Sequence, residues 1–391
     1  MGYLPPEVVT DILSRLSVRN LLCFRCVCKQ WRSIIDSQDF IHFHFRKCSE
    51  SKSHLTLILR KDFQLFTVEL DALKDAVELP HPLMCYNNRI RILGFCNGLL
   101  CICNIAEDIV IWNPSTRKHR FVPSLPVERN SRLALSPLSN VAYGFGYDSA
   151  KDDYKLLRIS QFDVDISEVK IYSLRTNEWK SIGYKPKSYC YAMRMGVLVN
   201  GSLHWAAVNL DYGSAMVLAF DIGSESFQEV PLPESVNNHV KRFLLDNRYF
   251  MDLGVLDGCL CIVDSFKDMG IDVWVMREYG VKESWTKLVN LPRPERSRVI
   301  GVASPLAYSR TGGEVLFEQD TEELFWFDLI SHGVKNVKLR GMPKSFEAFV
   351  FSSSLVSVNP STRDHSRNHE LGDNKNKKRD DFLSEGFKLV L

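Results

Sequence analysis

From His54 onward a unit of about fifty residues repeats, and this period limits the possible folds more than any other feature of the chain. Four copies open on a small turn, Asn97-Gly98, Asn200-Gly201, Asp257-Gly258 and Gly312-Gly313, of residue types that close a β-hairpin because they tolerate a left-handed backbone. Each turn leads into an apolar strand (99–103, 202–206, 259–263, 314–317) and then into a strand with an aromatic near its end (109–112, 217–221, 271–274, 324–328). A polar turn and a last strand finish the unit, often on Leu-Pro, as at Leu125-Pro126, Leu232-Pro233 and Leu291-Pro292. Two weaker copies start at Gly146 (strands 154–157, 169–172, 179–182) and at His54 (54–59, 65–68, ending at Leu79-Pro80). With Gly98, Gly146, Gly201, Gly258 and Gly313 as anchors, the spacings are 48, 55, 57 and 55 residues.

About four strands in about fifty residues is the size of a propeller blade. The fold class that follows is α+β and multidomain: N-terminal helices, then an all-β propeller over 54–358 with six or seven kelch-like blades. Six units fit between 54 and 342, and a degenerate seventh in 184–198 or 343–358 stays open. The run 353–358 is expected to close the ring on the first blade and so remove the open sheet edges. A large β-sandwich is the alternative, although it would show short strands without the regular period.

Before the repeat, residues 1–44 are patterned as short helices. Pro6 suits a first helical turn, where a missing N–H costs nothing, and Glu7 and Asp11 complement the positive end of the helix. Val8, Ile12, Leu13 and Leu16 form one apolar stripe; Leu21, Leu22, Phe24, Val27 and Cys28 begin a second face, followed by Trp31, Ile34 and Ile35. Forty residues bury too little surface to be stable alone, so the stripe calls for a partner. Phe40, Phe43 and Phe45, with His42 and His44, suggest a last helix leaning on the next domain, with His42 and His44 a packed pair. Residues 45–53, ending Ser49-Glu50-Ser51-Lys52-Ser53, are expected to be a polar linker.

Leu4-Pro5-x-Glu7, Ile12-Leu13-x-Arg15-Leu16 and Phe24-Arg25-x-Val27-Cys28-Lys29-x-Trp31 resemble the F-box of plant F-box proteins. An ordinary helical hairpin capping the next domain is the competing reading. Gly98-Leu99-Leu100-Cys101, Trp112-Asn113-Pro114-Ser115-Thr116-Arg117, Gly144-Phe145-Gly146-Tyr147-Asp148 and Gly201-Ser202-Leu203-His204-Trp205 are similar to the F-box-associated, kelch-like region of the same family. Only Gly312-Gly313 offers the glycine doublet of a strict kelch repeat, so the repeats are divergent. The resemblance implies a non-catalytic substrate receptor that binds a Skp-type adaptor and, through it, a cullin–RING ubiquitin ligase. The residues it assigns to adaptor binding are Leu4, Pro5, Val8, Ile12, Leu13, Leu16, Leu22, Val27 and Trp31, with Leu4, Pro5 and Trp31 expected to matter most. The client it implies is a plant immune receptor of the nucleotide-binding, leucine-rich-repeat (NB-LRR) type, whose turnover would hold defence down. An F-box scaffold with a different or non-degraded client is the alternative.

Composition narrows the rest. Lysine and arginine (49) nearly balance aspartate and glutamate (47), which argues against a nucleic-acid binder. No apolar run approaches the ~20 residues of a membrane span, and no secretory leader is recognisable, so a cytoplasmic and nuclear protein is expected. The 11 cysteines are then expected to be reduced thiols, with Cys23-x-x-Cys26-x-Cys28 lacking a second pair at zinc-finger spacing. No phosphate-binding glycine loop, Gly-x-Ser-x-Gly or His-Glu-x-x-His is present, and neither cofactor nor metal is expected. An enzyme built on a propeller would need convergent acids, a tyrosine nucleophile or copper ligands. Residues 359–391 are expected to be a polar, mostly disordered tail with an apolar end.

Overall fold

A computed structural model describes residues 5–51, 55–84, 89–125, 141–163, 166–186, 189–191, 195–209, 214–236, 249–266, 270–291 and 302–359. Four helices open the chain: α1 (Pro6–Ser14), α2 (Val18–Phe24), α3 (Lys29–Ile35) and α4 (Gln38–Ser51). The expected linker is therefore helical as far as Ser51, because Ser49-Glu50-Ser51 contains neither Gly nor Pro to end α4. The expected histidine pair also separates: His44 is buried and donates from Nε2 to the Leu16 carbonyl (2.8 Å), while His42 is exposed.

The strands form six antiparallel sheets among the described residues. Blade 1 contains β1 (Leu55–Lys61), β2 (Gln64–Glu69) and β3 (Val77–Glu78); blade 2 contains β4 (Arg91–Cys96), β5 (Leu99–Cys103), β6 (Ile109–Trp112) and β7 (His119–Phe121). Blade 3 is β8 (Val141–Asp148), β9 (Asp153–Asp163), β10 (Ile166–Ser173) and β11 (Glu178–Pro186). In blade 4, β12 (Tyr189–Tyr191) and β13 (Val197–Val199) both pair with β14 (Ser202–Asn209), followed by β15 (Ser214–Asp221) and β16 (Ser226–Val230). Blade 5 is β17 (Tyr249–Leu256), β18 (Cys259–Phe266), β19 (Gly270–Met276) and β20 (Trp285–Leu291). Blade 6 is β21 (Ala303–Tyr308), β22 (Glu314–Gln319), β23 (Glu323–Asp328) and β24 (Val334–Val337). The last strand, β25 (Glu347–Ser352), pairs with β1 and completes blade 1. There are thus six blades among the described residues, and 184–186, 189–191, 197–198 and 347–352 belong to their sheets.

Ring closure falls earlier than expected: 347–352 pairs with β1, with Leu55 opposite Ser352, and 353–358 is not a strand. Both runs mix apolar and polar residues, and the register with β1, some three hundred residues away, chooses between them. The first strand of each complete blade lies innermost: β4 packs beside β8, and β17 beside β21, which in turn neighbours β25. The inner strands line a cavity of about 2200 Å³.

All four turns hold a glycine in the expected left-handed backbone, at φ 77° (Gly98), 73° (Gly201), 78° (Gly258) and 76° (Gly312). Gly146 does not adopt it. It lies inside β8, where a Cβ would come within 2.2 Å of Ile222 Cδ1, so it is small to let blade 4 approach. Tryptophans repeat an inter-blade bond: Trp179 Nε1 donates to the Pro123 carbonyl and Trp285 Nε1 to that of Pro231, each at 2.8 Å.

Antiparallel strands alternate direction, so successive turns fall on alternate faces of the disc. The Asn97-Gly98, Asn200-Gly201 and Asp257-Gly258 turns share the face where β25 ends and β1 begins. The helices attach on that face. The described ends of the connections from one blade to the next lie on the opposite one.

Candidate adaptor-docking face

The helical unit holds itself together with one side of each helix. In α1, Val9 and Leu13 stand four residues apart and are buried, together with Val18 and Leu21 of α2, Ile35 of α3 and Phe40 and Ile41 of α4. Capping is local: the Ser17 hydroxyl accepts from Asn20 N (3.4 Å), and the Cys28 thiol accepts from Trp31 N (3.4 Å). Asp11 accepts from Arg15 at the end of α1 (2.7 Å) and from Lys47 of α4 (3.2 Å), and these hydrogen bonds hold its carboxyl below the usual range. Arg25 pairs with Asp36 at 2.6 Å, tying the end of α2 to the end of α3.

A second apolar stripe of α1, beside the buried one, is uncovered. Val8 is 43% exposed and Ile12 46%, and they form a second stripe one residue out of phase with Val9 and Leu13. Pro5, at the N-cap, is also exposed. Val27, between α2 and α3, is 60% exposed and is flanked by the exposed cysteines Cys23, Cys26 and Cys28. Burying each of these aliphatic side chains against a partner is worth about 1.5–3 kcal/mol. That gain is available only to a partner, because no other part of the described chain covers them.

The nine residues expected to bind the adaptor therefore divide. Pro5, Val8, Ile12 and Val27 are open to solvent. Leu16, Leu22 and Trp31 are partly buried against the helical core, with the Trp31 ring 5.5 Å from that of Phe24, so they support the face and present only an edge of it. Leu13 is fully buried and drops out of the docking set: it packs the bundle and cannot reach a partner. Leu4 lies outside the described residues. Sequence reasoning missed Val9 as a core residue, although the Val9–Leu13 spacing was a usable signal. It also missed the exposure of Cys23 and Cys26, which no local pattern reveals.

The buried thiols of Cys96 and Cys261 lie in the blades, in β4 and β18, where burial pushes them up to about 12. Among the described residues no group of three or more His, Cys, Asp or Glu could hold a metal ion. No helix among them is long and apolar enough to cross a membrane.

Comparison with known proteins agrees with this division of the chain. The family model for the F-box domain matches residues 3–43, and that for the F-box associated beta propeller domain matches residues 55–358. Neither describes an enzyme family. The chain is 34% identical to F-box protein CPR1 of Arabidopsis thaliana, over 100% of both chains. A second F-box protein of that plant is 32% identical over 100% of both, and an F-box/kelch-repeat protein is 31% identical over 74% of this chain and 79% of that one.

Proposed function

The chain belongs to the F-box proteins that carry an F-box-associated β-propeller, and on that premise we propose that it is the client receptor of a Skp–cullin–F-box ubiquitin ligase that marks plant immune receptors of the NB-LRR type for degradation. The observation that carries the ligase reading is the uncovered stripe of Pro5, Val8 and Ile12, with Val27, on helices matched by the F-box model. A Skp-type adaptor covers that stripe and brings the cullin with it. The protein breaks no bond itself. It holds a client lysine beside the ubiquitin carrier, and proximity turns a rare encounter into a nearly intramolecular reaction.

The client is held on the propeller face remote from the helices, where a bound protein would not collide with the adaptor. The immune-receptor client is supported by full-length similarity to F-box protein CPR1. Turnover of such receptors would restrain defence, and the protein would act in cytoplasm and nucleus.

The test is capture from plant cells with tagged wild type beside Val8→Asp/Ile12→Asp. Adaptor and cullin are expected with wild type only. NB-LRR receptors are expected to be enriched with the variant, because their degradation is uncoupled. Equal recovery of adaptor by both chains contradicts the ligase reading. Clients of another class, or clients whose abundance the variant leaves unchanged, contradict the immune-receptor reading.

A further inference from the structure

After β25 closes the ring, the chain continues across the helix-bearing face as Ser353–Asn359, and it is anchored there more tightly than ring closure requires. Ser354 is fully buried; its Oγ donates to the Asn97 carbonyl (2.7 Å) and accepts from Val356 N (3.2 Å). Asn113, also fully buried, donates from Nδ2 to the carbonyls of Ser354 (3.1 Å) and Val356 (2.8 Å). Its Oδ1 accepts from Ser115 N (2.9 Å) and Thr116 N (3.2 Å), so one amide both folds its own turn and grips the passing chain. Gly98 permits the approach: a Cβ there would lie 2.2 Å from Ser354 Oγ. Asn97 extends the link to blade 3 by donating to Tyr154 Oη (3.2 Å).

Leu355, Val356 and Val358 are buried in the same contiguous apolar cluster as Val9, Leu13, Leu21, Ile35 and Phe40 of the helices and Phe145 and Tyr172 of blade 3. The direct covalent join between α4, which ends at Ser51, and β1, which begins at Leu55, is a single chain crossing. The Ser353–Val358 segment supplies a second, non-covalent bearing.

We propose that Ser353–Val358, gripped by Asn113 and seated on Gly98, is a strut of positioning residues that fixes the angle between the F-box helices and the propeller and thereby selects which lysines receive ubiquitin. This rests on the ligase reading above. The strut touches neither adaptor nor client. It acts through the geometry between them, to which a proximity-driven transfer is steeply sensitive.

Asn113→Asp isolates the strut: it keeps an Oδ1 acceptor for the local turn and turns a carboxylate oxygen toward the two carbonyls that Nδ2 held. Ser354→Ala is the milder second variant, used if Asn113→Asp fails to fold. Full-length chains are reconstituted with a Skp-type adaptor, cullin–RING and a charged ubiquitin carrier. The chain's own propeller lysines serve as acceptors, mapped by mass spectrometry, and small-angle scattering of the free chain runs in parallel. The expected result is adaptor binding equal to wild type, a fall of about ten- to a hundredfold at the preferred lysines, a broader spread of modified sites, and a wider distribution of intramolecular distances. A folded variant with the wild-type lysine map and rate overturns the proposal. If wild type itself transfers no ubiquitin, the ligase reading fails on its own. Scattering then decides the strut: unchanged profiles for the folded variants overturn it, and a broadened profile leaves it standing as the bearing between helices and propeller.

Discussion

Val8 and Val9 are neighbours in α1, about 100° apart around the helix, and the first is 43% exposed while the second is 5%. A helix that used one apolar stripe to pack would leave the adjacent position polar. This one continues with Ile12 beside Leu13, so one stripe builds the bundle and the other is left for a partner. Leu13→Ala is expected to cost about 2–5 kcal/mol of stability, as large-to-small changes in a core do. Val8→Ala is expected to stay within about 0.5 kcal/mol of wild type. Hydrogen exchange of the α1 amides in the two variants reads the difference directly; equal loss of protection in both would contradict the division.

Burial pushes Glu318 up to about 7 and Asp252 up to about 6, each resisted by a backbone N–H, from Ala348 and Leu253 respectively. An acid whose pKa is raised on folding holds its proton more tightly in the folded chain, so its contribution favours folding at low pH and is lost as pH rises through the folded value. His204 works the other way. Burial lowers it from 6.5 to about 4, so the unfolded chain takes up the proton first and stability falls as pH drops across that window. Glu318→Gln keeps an acceptor for Ala348 N and removes the titration. Its melting temperature is expected to exceed that of wild type at pH 8, by the equivalent of about 1–3 kcal/mol, with the advantage fading by pH 5. A gap that does not change with pH would contradict the assignment.

Lys155 of blade 3 lies 2.8 Å from Asp148 and 2.9 Å from Glu225 of blade 4, and it donates to the Ile222 carbonyl (2.9 Å). Burial opposes the charge on Asp148, but the hydrogen bonds from Lys155 and from Lys151 N outweigh it, and the carboxyl stays below the ordinary range. Lys155→Met leaves that carboxylate with Lys151, 3.6 Å away, and backbone N–H groups as its partners, and is expected to cost about 1–3 kcal/mol in denaturant unfolding. Adding Asp148→Asn should return part of the loss. A double variant no more stable than the single one would show that packing, not charge, was at stake.

Legibility in the sequence followed the range of the interaction. The turns at Gly98, Gly201 and Gly258 were visible because the need for a left-handed residue is local, and the Trp179 and Trp285 strands were visible because they recur with the period. Gly146 marked the start of a weaker copy of the repeat, but its role, yielding space to Ile222, is long-range and has no local signal. The closing strand was displaced by a few residues because the choice between 347–352 and 353–358 belongs to β1. On the helices, apolar residue types marked the docking region, but the phase that buries Leu13 and exposes Val8 depends on where α4 packs. The Asn113 grip on Ser354 and Val356 spans more than two hundred residues, and the Trp-Asn-Pro-Ser-Thr motif showed only its turn half.

The most direct test of the account is a calorimetric titration of the full-length chain with a purified Skp-type adaptor, using wild type, Val8→Asp/Ile12→Asp, and Ile330→Asp as a control. Ile330 is 87% exposed on blade 6, so that change removes an exposed apolar residue outside the docking face. The account predicts tight binding by wild type and by Ile330→Asp, and at least about a hundredfold weaker binding by the double variant with its propeller melting unchanged. Wild-type affinity in the double variant, or no binding by wild type, would contradict it.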